Sequence, residues 1–294
     1  MRIRAVLLAL LFVAAALVPL LGEPYYTKLV VRMAIFALAA MSLDLIVGYA
    51  GLVSFGHAAF FGLGCYAAGV LPMAGIHSAL VIFPAAALLA AAVGLLTGAV
   101  SLRASGLYFI FITLAFAQMV FYIAQGMRML SGDDGFRLPA PTLIGDLPLT
   151  NPNVLLYLMI AILALATWLC HRLMQSRFGY VVQAARDNQL KLAAIGLNAY
   201  PYRLALYTVA AALAGIAGAA YANLTEFVAP ATMSWVMSGE LLFMVILGAV
   251  GTLTGPIIGA VVFVGLEQIL SGYTEHWLFP LGVILVLRVL LLKK

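Results

Sequence analysis

Apolar residues run along this chain in long blocks, separated by short segments that hold most of its charges. About 17 to 25 apolar residues are needed for an α-helix to cross a hydrocarbon layer of roughly 30 Å. The pattern predicts helices over 5–21, 29–47, 79–100, 105–125, 153–170, 204–222 and 278–292, with two further runs of unusual length. The run Ala58–Leu71 has 14 residues, about 21 Å of helix, too short unless the glycine-rich stretch before it also lies in the membrane. The run Glu240–Leu270 has 31 residues, about 46 Å, too long for one straight crossing. Gly251, Gly255 and Pro256 predict a break within it.

Composition narrows the class. The chain is 66% apolar before its 27 glycines are counted and only 9% charged, against about 25% charged in ordinary soluble domains. That excludes a soluble enzyme and predicts an all-α polytopic membrane protein. The net charge is +5, and the basic residues lie in connecting segments, which suits membrane topology better than nucleic acid. If 240–270 crosses once, Lys and Arg divide 8 inside to 7 outside, but if it folds back they divide 11 to 4. The second division follows the positive-inside rule. The expectation is therefore about eight transmembrane helices plus a broken or re-entrant hairpin, with both termini cytoplasmic. The end carrying Arg288, Lys293 and Lys294 then lies inside. Met1-Arg-Ile-Arg and its apolar core resemble a signal peptide, but the 17-residue core exceeds the usual ~7 to 15 and no small-x-small site precedes Glu23. A retained first helix is expected, within a single transmembrane domain over 1–294. Its longest cytoplasmic loop covers about 171–203 and its main external loop about 126–152.

Catalytic chemistry has little to stand on. Cys65 and Cys170 are far apart, and His57, His77, His171 and His276 form no ligand pair, so no disulfide or metal site is predicted. No glycine precedes a lysine, so there is no phosphate-binding loop, and any use of ATP belongs to another chain. The informative segment is Gly48-Tyr-Ala-Gly-Leu-Val-Ser-Phe-Gly-His57. Its glycines let backbone leave the helix, which is tolerated at membrane depth only under protein or beside a water-filled cavity. Gly248-Ala-Val-Gly-Thr-Leu-Thr-Gly-Pro256 repeats the G-x-x-G opening 200 residues later. Paired glycine-interrupted segments point to a transport route. The candidate route residues are Asp44, Gly48, Gly51, Ser54, Gly56, His57, Gly248, Gly251 and Gly255. Close helix packing is the competing explanation for the glycines, but packing alone does not explain one run too short and another too long. Asp44 stands one turn before the break, placed either to bond freed backbone N–H groups or to meet a substrate ammonium. Arg32 is expected to snorkel outward, and Glu240 to favour the start of its helix.

Ala40-Met-Ser-Leu-Asp-Leu-Ile-Val-Gly-Tyr-Ala-Gly-Leu-Val-Ser-Phe-Gly-His-Ala-Ala-Phe-Phe-Gly-Leu-Gly64 resembles the signature of the branched-chain amino acid ABC transporter permeases, M-type (LivM-like) subunit. Leu102-Arg-Ala-Ser-Gly-Leu-Tyr-Phe, Ala184-Ala-Arg-Asp-Asn with Ala193-Ala-Ile-Gly196, and the stretch from Glu240 through Gly259 extend the likeness over about residues 30–270. The sequence departs from the pattern at Asp44, where the family more often has Asn. It also carries Ser131-Gly-Asp-Asp-Gly-Phe136 in place of a loop that usually reads Gly-Gly-Ser/Thr-x-Gly. The resemblance implies an ABC importer in the bacterial inner membrane: a second, H-type permease, two ATP-binding cassette subunits that bind ATP and Mg, and an extracytoplasmic solute-binding protein. No cofactor is implied in this chain.

The basic segment between Gly179 and Gly196 reads as an amphipathic helix ended by Pro201. Such a helix either rests on anionic headgroups or, as the resemblance implies, couples to the ATPases through Ala184, Ala185, Asp187 and Gly196. Asp133 and Asp134 form a solvated external turn or a docking point for the binding protein. A different class of function stays open: a proton-coupled secondary transporter using Asp44, Glu240 and Glu267 as a relay.

Overall fold

The computed structural model describes residues 2–127, 132–273 and 276–291. Among them are twelve helices: α1 (Arg2–Leu17), α2 (Pro24–Asp44), α3 (His57–Met73), α4 (Ala79–Ser101), α5 (Leu107–Gly126), α6 (Pro152–Met174), α7 (Arg177–Asp187), α8 (Gln189–Ala194), α9 (Ala199–Thr225), α10 (Trp235–Gly248), α11 (Gly255–Ser271) and α12 (Leu278–Leu291). The departures from an all-helical chain are slight. β1 (Phe136–Arg137) pairs antiparallel with β4 (Phe227–Val228), and β2 (Leu143–Ile144) with β3 (Leu147–Pro148). Ser131, Lys293 and Lys294, which entered the readings of the external loop and the C-terminus, lie outside the described residues.

This is a multi-pass membrane protein. Among the described residues five helices are long and apolar enough to cross a membrane: Pro24–Tyr49, Ala79–Ser101, Leu107–Gly126, Pro152–Met174 and Ala199–Thr225. Their burial separates inner from outer helices, since the apolar window of α2 is 78% enclosed by protein and that of α5 only 22%. α5 presents Leu107, Tyr108, Phe111, Tyr122 and Ile123 outward, as a helix facing lipid does. The short α3 lies against α4, α9 and the turn Pro230–Met233, with most of its side chains buried. Protein rather than lipid surrounds it, so it does not need full crossing length. The long apolar run 240–270 divides into α10 and α11, separated by 249–254 and packed against each other. Pro256 falls in the first turn of α11, where its missing N–H costs no helical bond.

Small residues set the closest helix contacts. A Cβ on Gly218 of α9 would collide with the Phe61 carbonyl of α3, and one on Gly64 of α3 with the Gly215 carbonyl. Side-chain-free backbone is therefore required where these two helices meet, as expected where lipid supplies no hydrophobic drive and packing must bring helices together.

Arg32 of α2 does not snorkel. Its Nη2 donates to both oxygens of Glu267 on α11, at 2.7 and 3.0 Å. A cation this far along an apolar helix gains more from a facing carboxylate than from a reach to the interface. Nor does Glu240 open its helix: Ser234 Oγ accepts the Met237 N–H and starts α10 at Trp235.

The α3–α9 contact generates a stability test. Gly218→Val should lower the unfolding free energy of the detergent-solubilised protein by about 1–3 kcal/mol through overpacking. Gly239→Ala should be neutral or stabilising, because nothing lies within 4 Å of its Cβ position and alanine is the better helix former. Thermal unfolding monitored by size-exclusion chromatography reads both, and equal behaviour of the two would contradict the packing account.

Candidate functional site

After Asp44 the helix widens into a π-helical turn, Leu45–Tyr49, and Gly51 at φ +71° turns the chain out of it. Five of the backbone N–H groups that follow are met individually. Ala50 donates to the Leu45 carbonyl and Leu52 to the Ile46 carbonyl, Phe55 to Thr113 Oγ1 at 3.3 Å, Gly56 to Ser54 Oγ at 3.2 Å, and Ala58 to Ser238 Oγ at 3.1 Å. Side chains from α5 and α10 thereby replace the helical ladder that this segment gives up.

The second break reaches the same place. Gly251, at φ +78°, donates its N–H to Asp44 Oδ1 at 2.8 Å. Gly48 packs so closely on Gly251 that a Cβ there would overlap the Gly251 backbone and the Asp44 carboxylate. The two glycine segments, 200 residues apart in sequence, are thus in contact. Asp44 is fully enclosed and bonds backbone freed by the opposite break rather than its own. Its Oδ2 has no partner among the described residues.

A third element joins them. Arg186, on α7, donates from Nη1 to the Gly48 carbonyl at 2.8 Å and lays its Cγ where a Gly51 side chain would sit. Asp187 Oδ1 accepts from Arg186 Nε at 3.0 Å and holds the guanidinium over the break. In the sequence Arg186 stands inside the stretch Ala184-Ala-Arg-Asp-Asn and among the basic residues of the loop between α6 and α9, and neither setting assigns it a contact. The signal that could have singled it out is an Arg-Asp pair at the end of an amphipathic helix, where the carboxylate orients the guanidinium and leaves one edge free for a third group.

The remaining candidates divide. Ser54, Gly56 and His57 belong to the stitched segment: Ser54 and His57 are fully buried, and His57 Nε2 lies 2.7 Å from Ser42 Oγ of α2. Ser54 Oγ meets the Gly56 N–H, so the segment supplies part of its own backbone support. A Cβ on Gly248 would overlap the Gly255 carbonyl, so this pair serves the close packing of α10 on α11. The segment between α6 and α9 also differs from the single helix expected. Asn188 breaks it and caps α8 by accepting the Lys191 N–H at 2.9 Å. Pro201 stands in the first turn of α9, which Asn198 caps through the Tyr200 N–H at 3.0 Å; it begins a helix instead of ending one. Ala185 faces inward against Leu192 and Ala199. Ala184, Asp187 and Gly196 are exposed beside Leu190 and Ile195. Asp133 and Asp134 are exposed in a short turn before β1. Among the described residues no three His, Cys, Asp or Glu side chains gather as metal ligands.

The family described as branched-chain amino acid transport system, permease component, matches residues 25–292. The high-affinity branched-chain amino acid transport system permease protein LivM of Escherichia coli (strain K12) is 27% identical over 280 residues, covering 87% of this chain and 66% of that protein. Its counterpart of the same name in Salmonella typhimurium (strain LT2) is 26% identical over 308 positions, covering 97% of this chain and 72% of that protein. The chain thus spans about two thirds of the length of these curated relatives. No solved structure matches it.

The Asp44–Gly251 bond makes a direct prediction. Asp44→Ala should cost about 1–3 kcal/mol of stability by leaving a buried N–H unpaired. Asp44→Asn keeps an acceptor at Oδ1 and should retain most of that stability. Chemical or thermal unfolding of both variants in detergent checks the difference, and equal losses would mean that the charge, not the acceptor, is what the junction needs.

Proposed function

The chain belongs to the family of branched-chain amino acid transport permease components, and on that premise we propose that it is the membrane-spanning subunit of an ATP-driven importer. Its cargo in this reading is a branched-chain amino acid or a related small amino acid or amide. A second permease, two ATPases and an extracytoplasmic solute-binding protein complete the assembly in the bacterial inner membrane. α1–α6, α9 and α12 make eight crossings, α10 and α11 form the broken hairpin, and both termini face the cytoplasm with α7 and α8. The one observation that carries the mechanism is the Arg186 bond to Gly48. Through it a helix outside the bundle is tied to the place where two membrane segments lose their helical ladders.

The steps follow from that tie. The exposed face of α7 and α8, with Ala184, Asp187, Leu190, Ile195 and Gly196, docks on an ATPase as a short helix in a groove. When the ATPases close, α7 shifts and Arg186 carries the shift to the Gly48 carbonyl. Gly48 bears directly on Gly251, so the break between α10 and α11 moves with it. Backbone without a continuous ladder is the part of a membrane helix that yields at least cost, and the two access states are populated according to which geometry the ATPases favour.

A proton relay fits this arrangement poorly. Glu267 is bonded to Arg32, and Arg32 stands 12 residues from Asp44 on α2, about 18 Å along the helix. The test is leucine uptake by vesicles of the assembled complex, with a protonophore added and ATP held constant. Uptake should continue. Its collapse with the proton gradient would contradict the importer reading and favour a carrier.

A further inference from the structure

At the end of α2 opposite the junction, the start of that helix and the last turns of α9 and α11 enclose an open cavity of about 490 Å³. Tyr25, Lys28 and Arg32 of α2 and Gln268 of α11 give it polar groups, and Leu29 and Leu224 give it aliphatic walls. Neither Glu267 nor Glu240 borders it. Lys28 is exposed, and its ammonium, the Gln268 amide and the Tyr25 hydroxyl make no hydrogen bond among the described residues. Arg32 is fixed from two sides. Both oxygens of Glu267 accept from its Nη2, and the Phe36 ring covers its guanidinium at 5.5 Å. That pair is neutral, and Nε and Nη1 are left on the guanidinium edge without a protein acceptor among the described residues. The charge left over at the cavity is the single positive charge of Lys28. Depth is marked by Tyr25 and Tyr26, 55% and 51% exposed at the start of α2, as aromatic residues at headgroup level are. Lys28 and Arg32 follow about 6 and 12 Å along the helix from Pro24, so the donors run from the headgroups to the start of the acyl chains.

We propose that this cavity holds the phosphodiester of an anionic membrane lipid, with Lys28 and the free edge of Arg32 on the phosphate oxygens and the first part of an acyl chain on Leu29 and Leu224. A phosphodiester carries one negative charge, which matches the one uncompensated cation at the cavity. Unused guanidinium and ammonium donors have an oxyanion as their natural partner, and basic residues at the membrane surface favour anionic lipids. A zwitterionic headgroup would add an ammonium, and no carboxylate borders the cavity to receive it. A free phosphate shares the chemistry of the phosphodiester but makes no use of the aliphatic walls. The bound lipid would touch α2, α9 and α11 together and so brace the end of the bundle where Glu267 joins Arg32. This reading needs only the membrane placement of the chain and stands apart from its cargo and its ATPases.

Native mass spectrometry of the full chain in detergent tests this, because it resolves each bound lipid by mass. The protein is titrated with dioleoyl phosphatidylglycerol and, separately, with dioleoyl phosphatidylcholine, and the affinity of the first lipid bound is read. Phosphatidylglycerol should bind more tightly than phosphatidylcholine. Lys28→Gln alters a group with no hydrogen bond in the protein and should weaken phosphatidylglycerol binding about fivefold, the effect of one basic residue near a membrane surface. Lys28→Arg should restore it. Lys191→Gln, which removes an exposed cation on α8, should leave it unchanged and so separates the cavity from a general effect of surface charge. Inorganic phosphate and glycerophosphoglycerol, the deacylated headgroup, should not displace the lipid. Equal affinity for the two lipids would overturn the proposal, as would wild-type binding by Lys28→Gln or an equal loss in Lys191→Gln. Displacement by inorganic phosphate or glycerophosphoglycerol would show that the cavity takes a soluble anion and not a lipid.

Discussion

Backbone that leaves a helix inside a membrane has no water to bond with, and each freed N–H or C=O must be met by protein at a cost of several kcal/mol if it is not. The organisation of this chain follows from how that demand is met around Gly48 and Gly251. Asp44 answers the Gly251 N–H and Arg186 answers the Gly48 carbonyl. Each partner comes from an element other than the one that broke. The demand of one segment is therefore satisfied by holding another in place, and three parts of the chain distant in sequence become one junction.

The rest of the architecture supports that junction. α11 lies along α2; Glu267 of α11 bonds Arg32, and Gly251, in the break just before α11, bonds Asp44 at the other end of α2. Behind them α3 and α9 approach to backbone contact through Gly64 and Gly218. The inner helices are thus held by close packing and a few polar bonds, while α4, α5 and α6 turn apolar faces outward. α7 stands outside this frame with its own small core of Ala185, Leu192 and Ala199. It meets the frame through Arg186 at the break, through Gln183, which donates to the Met174 carbonyl of α6, and through Arg203 of α9, which donates to the Ala185 carbonyl, so a displacement of α7 bears on the break as well as on α6 and α9.

The helices themselves were legible in the apolar runs, because hydrocarbon leaves few other ways to satisfy backbone. The break in 240–270 was legible too, since 31 residues exceed the membrane and Gly251 and Pro256 fall within them. What could not be read was who meets whom. Asp44 and Gly251 are 207 residues apart, and Arg32 and Glu267 are 235 apart; no local pattern encodes pairings of that range. Arg32 accordingly looked like a snorkelling cation and Arg186 like a topology charge. Pro201 was ambiguous for a local reason: a proline is equally at home just after a helix and in the first turn of the next, and Asn198 decides between the two only once its cap is seen. The packing roles of Gly248 and Gly255 were hidden by their neighbour Gly251, whose left-handed backbone does belong to the break.

The central claim is that α7 and the second break move as one body because Arg186 and Gly48 connect them. Spin labels at Tyr180 on α7 and at Val250 in the break, both exposed, report this directly by electron–electron dipolar spectroscopy on the assembled complex. In the otherwise native protein the distance distribution should stay narrow and unchanged between nucleotide-free and ATP-bound states. Arg186→Met, which keeps the aliphatic stem over Gly51 but removes the donor, should broaden it and make it shift with ATP. A distance that shifts with ATP equally in both would show that α7 and the break are not joined through Arg186.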